Sequence, residues 1–342
     1  MNVVVIGMGE VGRYVAEMLQ QERHDVVAVD VNRRTIDRIN ERMDVATLLG
    51  YGASPRILAQ ARVSEADLVV ATTDVDEVNL IAALASKRLG ASRTIARVQS
   101  GVYEDGADED DGIHYGMLGI DLVVNPQVLM ADEMFQIARS HGALDVHFFA
   151  NNRIELAEIA LPSDSEVLDI PLKNLQMPDH TRVGAVIRDG KLFIPGGDDH
   201  LCANDRVYLF GLTGGLLDAE DQFCHGREAA RVAIYGSDVT GQRLAQQLSN
   251  AGVDTLLMVE DPNEAREIAL SLPRVTVVEG DGTDITKLEE EDIGRYDIYF
   301  ATTDDDENNL MSGLLAKRIG TPRTACKVHR HAYIDIYRQL GI

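Results

Sequence analysis

Short β-branched runs separated by helix-period segments dominate the start of the chain. Val3 to Ile6 and Val26 to Val29 read as strands, and Val11 to Gln21 between them has the spacing of an amphipathic helix. A strand, a helix and a strand in that order predict parallel pairing. Val45 to Leu49, Leu68 to Ala71 and Thr94 to Val98 extend the sheet. A helix pattern then runs from Pro126 to Ser140, with proline in the first turn, where its missing N–H costs little.

The same pattern returns later in the chain. Ala71-Thr-Thr-Asp-Val-Asp-Glu-Val-Asn-Leu80 is repeated as Ala301-Thr-Thr-Asp-Asp-Asp-Glu-Asn-Asn-Leu310, at an offset of 230 residues. Lys87-Arg88 and Lys317-Arg318 follow at the same offset, as do the strand patterns beginning at Arg93 and Arg323. Gly50-Tyr-Gly-Ala-Ser54 likewise matches Gly280-Asp-Gly-Thr-Asp284. Between the copies the strands shorten and turns multiply: Asp189-Gly190 predicts a tight hairpin between Val183–Arg188 and Lys191–Ile194. The expected fold class is therefore α/β, with two Rossmann-like doubly wound parallel sheets flanking a small α+β module. The domains expected are a first Rossmann-like domain (1–125), a crossover helix (126–143), the small domain (144–213), a polar helical linker (214–229) and a second Rossmann-like domain (230–342).

Composition narrows the function classes. The chain has 342 residues, 45% of them hydrophobic and 26% charged, the profile of a globular protein. Apolar runs such as Val3 to Ile6 are short and a strand begins at once, so neither a transmembrane helix nor a signal peptide is expected. A net charge of −24 argues against binding nucleic acid or anionic lipid directly. Cys202, Cys224 and Cys326 are odd in number and far apart, which offers no disulfide framework and no Cys-x-x-Cys metal site and suits a reducing cytosol.

The chemistry concentrates at Gly7-Met8-Gly9-Glu10-Val11-Gly12, which follows a strand and opens a helix, with the acidic Asp30 ending the next strand. Gly7 permits the tight turn, Gly9 lets main chain approach a phosphate and Gly12 lets the helix pack against the sheet, while unpaired N–H groups at the helix start attract the anion. Asp30 can accept ribose hydroxyls and would repel a 2′-phosphate, favouring NAD(H) or an adenosine nucleotide over NADP. Gly50 and Tyr51, and Thr72, Thr73 and Asp74 at the end of the fourth strand, complete the candidate set. For Thr72 to Asp74 two roles stay open, ligand contact or capping of the helix starting near Asp76. Arg97 is either a phosphate clamp or a solvated strand end.

The second copy departs from this pattern. Gly236-Ser237-Asp238-Val-Thr-Gly241 places Asp238 where Gly9 stands, although Glu260 matches Asp30 and Lys327 matches Arg97. That site is expected to bind more weakly, to take a ligand with fewer phosphates, or to stay empty. His329-x-His331 lacks a further ligand at metal spacing, and the acidic stretch Glu104 to Asp111 does not follow a calcium-loop pattern, so no metal site is expected. No motif of a catalytic centre is present, and no catalytic residue is assigned.

Together these residues closely resemble the cytosolic regulatory subunits of Trk/Ktr-type bacterial and archaeal potassium uptake systems, which carry tandem RCK domains. The resemblance rests on the glycine fingerprint with Asp30, on Ala71-Thr-Thr-Asp with Glu77 and Asn79, and on Ile95-Ala-Arg-Val98. The middle segment is similar to the small C-terminal RCK module: Val183-Gly-Ala-Val-Ile-Arg-Asp-Gly190, Ile194-Pro-Gly-Gly-Asp198 and Asn204-Asp-Arg-Val207 with Gly211. It implies phosphates held by Gly7 to Val11, the adenosine ribose by Asp30, the far side of the dinucleotide by Thr73 and Asp74, and the pyrophosphate by Arg97. It further implies NAD(H), ATP or ADP as ligands, self-association to a dimer or ring, and docking beneath a membrane potassium-translocating subunit at the inner face of the cell membrane. Family members continue into a second small domain, whereas the second copy stops at Gly341-Ile342, the positions matching Gly119-Ile120, so a shortened C-terminus is expected. The competing readings are an NAD-dependent dehydrogenase with an inserted substrate domain and a stand-alone nucleotide sensor. The former needs a general acid or base, and His147, His180 and His200 have no partner that the sequence identifies.

Overall fold

Strand β1 (Asn2–Ile6) is apolar on both faces, and Val3, Val4, Val5 and Ile6 are all buried, as a central parallel strand requires. It pairs in parallel with β2 (Asp25–Asp30) on one side and β4 (Leu68–Ala71) on the other. With β3 (Ala46–Leu49), β5 (Arg93–Arg97) and β6 (Leu122–Val124) the order is β3-β2-β1-β4-β5-β6, a doubly wound sheet whose direction of winding reverses between β1 and β4. Helices α1 (Glu10–Gln21), α2 (Arg33–Arg42), α3 (Pro55–Gln60) and α4 (Asp76–Leu89) connect the strands. Asn32 caps α2 by accepting the Arg34 N–H, and Gly90 ends α4 in the left-handed conformation.

The structure is a computed structural model. It describes the chain apart from residues 101–102, 104–118, 141–142, 144, 151–152, 213–214, 225–228 and 331–332. The acidic stretch from Glu104 to Asp111 and His331 therefore lie outside the described residues. Two compact units are formed, Met1–Leu129 and Met130–Ile342.

The second unit contains an antiparallel sheet of β7 (Asp145–Phe149), β8 (Ile154–Ala160), β9 (Thr181–Arg188), β10 (Lys191–Phe193) and β11 (Arg206–Leu212), in the order β10-β9-β11-β8-β7. Asp189 and Gly190 both have positive φ and join β9 to β10 in the hairpin their sequence predicts. Helix α5 (Pro126–Arg139) precedes this sheet and α6 (Gly215–Cys224) follows it. A polar helical linker is expected over 214–229; the helix is present as α6, but it is not merely polar, because Leu216, Ala219 and Phe223 lie on one face and are buried in the core of the antiparallel sheet. Asp218, Glu220 and Asp221 between them mask that apolar stripe in so short a helix.

The second parallel sheet, also in this unit, runs β14-β13-β12-β15-β16: Thr276–Glu279, Asp254–Val259, Arg231–Tyr235, Ile298–Ala301 and Arg323–Cys326. Its helices are α7 (Val239–Asn250), α8 (Pro262–Ser271), α9 (Ile285–Glu290), α10 (Asp306–Arg318) and α11 (Ile334–Leu340). Ala131, Met134 and Ala138 of α5 pack into the core of this sheet, with Val232, Leu244 and Phe300. The Arg323 guanidinium donates to the Ser140 carbonyl at 3.1 Å, satisfying an acceptor just past the end of α5.

Candidate nucleotide-binding site

The first glycine turn lies where β1 hands over to α1, beside the reversal in strand order. Gly7 has φ +88°, and a Cβ there would stand 2.7 Å from the Thr73 nitrogen, so both backbone conformation and space demand glycine. A Cβ at Gly12 would fall 1.8 Å from the Gly7 carbonyl oxygen, which is why the helix can come so close to the strand end. Gly9 differs: its φ of −66° suits any residue, and a Cβ there would meet nothing within 4 Å. Its freedom from a side chain is therefore not required by packing. Gly9 is also the N-cap of α1, and no side chain caps that helix. Met8 is buried, while Glu10 and Val11 are exposed on the first turn.

Asp30 is fixed by main chain on both sides. Its Oδ2 accepts the Met8 N–H at 2.7 Å and its Oδ1 the Asn32 N–H at 2.7 Å. The carboxylate is thus held against the glycine turn, with lone pairs left for further donors. Gly50 donates its N–H to the Asp30 carbonyl at 2.9 Å, and a Cβ at Gly50 would collide with Ile57 at 2.4 Å. Tyr51 beside it is exposed.

Thr72 takes neither of its two expected roles. It is buried, and its hydroxyl donates to the Gly7 carbonyl at 3.0 Å, bracing the underside of the turn. The N-cap of α4 is Val75, and no side chain caps it. Thr73 does stand at the crevice, and Asn79 holds it there. The fully buried Asn79 amide accepts the Thr73 N–H and hydroxyl at 2.8 and 2.7 Å and donates to the carbonyls of Thr73 and Arg97, both at 2.9 Å. All four of its hydrogen-bonding positions are filled, so it ties the end of β4 to the end of β5. In the sequence Asn79 enters only through the family resemblance, with no role of its own, and its repetition as Asn309 is the signal that points to one.

Arg97 is not a solvated strand end. Its side chain is 20% exposed, its Nη1 lies 4.0 Å from the exposed Asp74 carboxylate, and its buried Nε has no hydrogen-bond partner among the described residues. A guanidinium with spare donors thus belongs to the same domain as the glycine turn, Asp30, Thr73 and Asp74.

In the second copy the turn has the same backbone and different contents. Gly236 has φ +128°, and a Cβ at Gly241 would lie 2.2 Å from the Gly236 oxygen, as at Gly7 and Gly12. Asp238, in the conformation of Gly9, caps α7 by accepting the Gly241 N–H at 2.9 Å. Its other oxygen takes Lys327 Nζ at 2.6 Å, and the same ammonium reaches Asp304 at 2.8 Å. Glu260 accepts the hydroxyl of Tyr235, a residue that replaces Ile6; burial first, and then that carboxylate, push the Tyr235 phenol up and keep it protonated. Ser237 donates to Glu264 at 2.8 Å. Each residue matched to the first site thus has an internal partner.

Two doubly wound domains with a glycine turn at the strand reversal, in one chain with a small antiparallel module, define a tandem nucleotide-binding protein of the Rossmann class. The comparisons specify it further. The TrkA-N domain family matches residues 3–126 and 232–342, and the TrkA-C domain family residues 156–223. The chain is 32% identical over 351 residues to the Trk system potassium uptake protein TrkA homolog 1 of Methanosarcina mazei, covering all of this chain and 85% of that protein. It is 32% identical over 344 residues to the TrkA homolog of Archaeoglobus fulgidus, covering all of this chain and 77% of that one. Among solved structures, the GsuK channel bound to NAD superposes with a TM-score of 0.72 at 20% identity, over 99% of this chain and 60% of that one, a likeness of fold. The chain belongs to the TrkA family of Trk potassium uptake proteins.

Proposed function

We propose that this chain is the nucleotide-sensing subunit of a Trk-type potassium uptake system and that its first glycine turn is the sensor. As a TrkA protein it is a regulatory subunit and not an enzyme. One contrast carries the assignment of the site. The helix start at Gly9 is uncapped and has room around it, whereas the same position in the second copy is closed by Asp238 and Lys327. An anion can complete the first helix terminus with its charge and its acceptor oxygens.

The reading takes NAD(H) as ligand, with ATP and ADP as alternatives. Phosphates would sit on the amides from Gly7 to Val11, the adenosine ribose on Asp30, the distal half by Thr73 and Asp74, and the pyrophosphate by Arg97. Asp30 supports a free 2′-hydroxyl, because its oxygens are already aligned by Met8 and Asn32 and a 2′-phosphate would face a carboxylate. Among the described residues no helix is long and apolar enough to cross a membrane. The subunit would therefore reach the membrane through a potassium-translocating partner at the inner face, self-associated as a dimer or ring. Regulation requires the nucleotide to bind one domain arrangement better than another, since equal affinity for both shifts nothing.

Calorimetric titration of NAD⁺, NADH, ATP and ADP into the intact chain and into Asp30→Ala tests the proposal. Saturable binding by the parent chain that weakens in the variant is the expected result. An absence of binding by all four nucleotides, or equal affinity in both proteins, would refute the assignment of the site.

A further inference from the structure

A second constellation, remote in sequence from the glycine turns at Gly7 and Gly236, lies on the small antiparallel domain. Asp169, His200 and Cys202 bring one carboxylate oxygen, one imidazole nitrogen and one thiol sulfur within 4.8 Å of one another. Asp169 and His200 are exposed and Cys202 is half-buried. Among the described residues, none of the three side chains has a hydrogen-bond partner. Three donors of different chemistry thus converge without satisfying each other.

The backbone explains the convergence. His200 and Leu201 form bridges with the segment ahead of them, Leu201 with Leu168 and His200 with Pro171. In extended chain successive side chains alternate, so a buried Leu201 sends His200 and Cys202 to the opposite face together. Asp169 joins them because its N–H donates to the Leu201 carbonyl at 3.0 Å. It adopts φ +59°, a left-handed conformation that aspartate tolerates better than most residues. Both flanks of Leu201 are clamped from beneath: Arg188 donates to the His200 carbonyl at 2.9 Å, and Asp205 accepts the Cys202 N–H at 2.8 Å. Arg188 and Asp205 are themselves paired, at 2.7 Å. Ligands mounted on a hydrogen-bonded frame lose little further freedom on binding.

We propose that Asp169, His200 and Cys202 form a binding site for a transition-metal ion of the zinc type. A thiolate, an imidazole and a carboxylate are the donors of tetrahedral zinc sites, and three protein ligands leave a fourth position for water. The sulfur selects against magnesium, calcium and alkali ions, which prefer all-oxygen shells. Binding replaces the thiol proton with the metal: the S–H bond breaks, a sulfur–metal bond forms, and the proton leaves to buffer. The bound ion would join the 168–171 segment to 200–202. Sequence spacing conceals the site, because His200-x-Cys202 lacks its third ligand until the fold supplies Asp169 from 31 residues upstream.

The test is titration of the intact, metal-stripped chain with Co²⁺, followed by the near-ultraviolet thiolate-to-cobalt absorption and the visible bands of tetrahedral cobalt, then displacement by Zn²⁺. One equivalent is expected, with the sulfur band absent in Cys202→Ser and retained in Cys224→Ser and Cys326→Ser. His200→Ala and Asp169→Asn should each weaken binding by more than about 10-fold, the loss that removing even an outer-sphere partner can cause. Thermal melting of each variant without metal separates lost ligation from lost folding. No sulfur band in the parent chain, a band that survives Cys202→Ser in a folded variant, or unchanged affinity in both His200→Ala and Asp169→Asn would overturn the site.

Discussion

The Lys327 ammonium lies 2.6 Å from the Asp238 carboxylate, so the counterpart of Arg97 and the counterpart of Gly9 neutralise each other inside the second domain. Both are largely buried, with side-chain exposures of 6% and 13%. A phosphate entering here would have to displace a carboxylate that also caps α7. The internal acid supplies what a ligand would supply in the first domain.

If the first glycine turn is the nucleotide site, the chain is expected to bind one dinucleotide, not two. Calorimetry with NAD⁺ should saturate at one equivalent, and Asp30→Ala should weaken that event. Asp238→Gly should open a second, weaker site, because it clears the phosphate position while Asp304, 2.8 Å from Lys327, still balances the buried ammonium. Two equivalents in the parent chain, both insensitive to Asp30→Ala, would contradict this account.

Two glycines of the first turn should separate binding from folding. At Gly9 a methyl group meets no atom within 4 Å, so Gly9→Ala should change stability by less than about 1 kcal/mol, the scale of N-cap and glycine-entropy effects. Its nucleotide affinity should fall at least about 10-fold, about 1.4 kcal/mol, because the methyl group enters the phosphate position. At Gly12 the methyl group would overlap the Gly7 oxygen at 1.8 Å, and Gly12→Ala should cost about 3 kcal/mol or more of stability. Urea denaturation alongside calorimetry measures both. Equal stability losses in the two variants would remove the distinction.

Much of this was legible in the sequence, for identifiable reasons. The doubly wound order follows from alternating strand and helix periods, and the repeat of Ala71-Thr-Thr-Asp at Ala301 exposed the second copy. Asp189-Gly190 gave the hairpin because both residues tolerate positive φ. Three features needed the fold. Thr72 looks like its neighbour Thr73, yet strand alternation turns it inward beneath Gly7. Asp238 and Lys327 each stood out singly, but 89 residues separate them, and only the adjacency of β12 and β15, with β16 beyond, brings them into contact. The apolar face of α6 is hidden in the sequence because three charged residues, Asp218, Glu220 and Asp221, are interleaved with its three buried apolar ones, Leu216, Ala219 and Phe223, in a ten-residue helix.

Cys326 should be chemically silent in the native protein. Burial pushes its thiol up to about 12, and the sulfur sits 3.1 Å from the Asn309 carbonyl oxygen, its hydrogen-bond acceptor. At pH 8 the thiolate fraction would be on the order of 1 in 10,000, and the thiolate is the reactive form. Thiol labelling of the native chain should therefore give the same count in the parent and in Cys326→Ser, with the difference of one thiol emerging only in denaturant. Rapid native labelling of Cys326, identified by peptide mapping, would show that this half-buried position and its hydrogen bond to Asn309 do not suppress the thiolate.

The Arg188–Asp205 pair should give the small domain an acid-sensitive stability. Burial alone would raise the Asp205 carboxyl, but the hydrogen bonds from Arg188 and from the Cys202 N–H, together with the Arg188 charge, outweigh it and hold the group below its ordinary value. A carboxyl whose folded-state value is depressed contributes its full stabilisation above the unfolded value, about 3.9, and loses it as pH falls through the folded value. Asp205→Asn should thus cost about 3 kcal/mol at pH 7, the lower end for breaking a buried pair, since Arg188 keeps a third of its side chain in solvent. Below about pH 4 the gap between parent and variant should narrow, because the parent's own carboxylate is then being protonated. Hydrogen exchange of the β9 and β11 amides across that pH range reads the effect where it arises. A gap that stays constant down to pH 2 would mean that the contribution of Asp205 comes from shape and neutral hydrogen bonding and not from its charge.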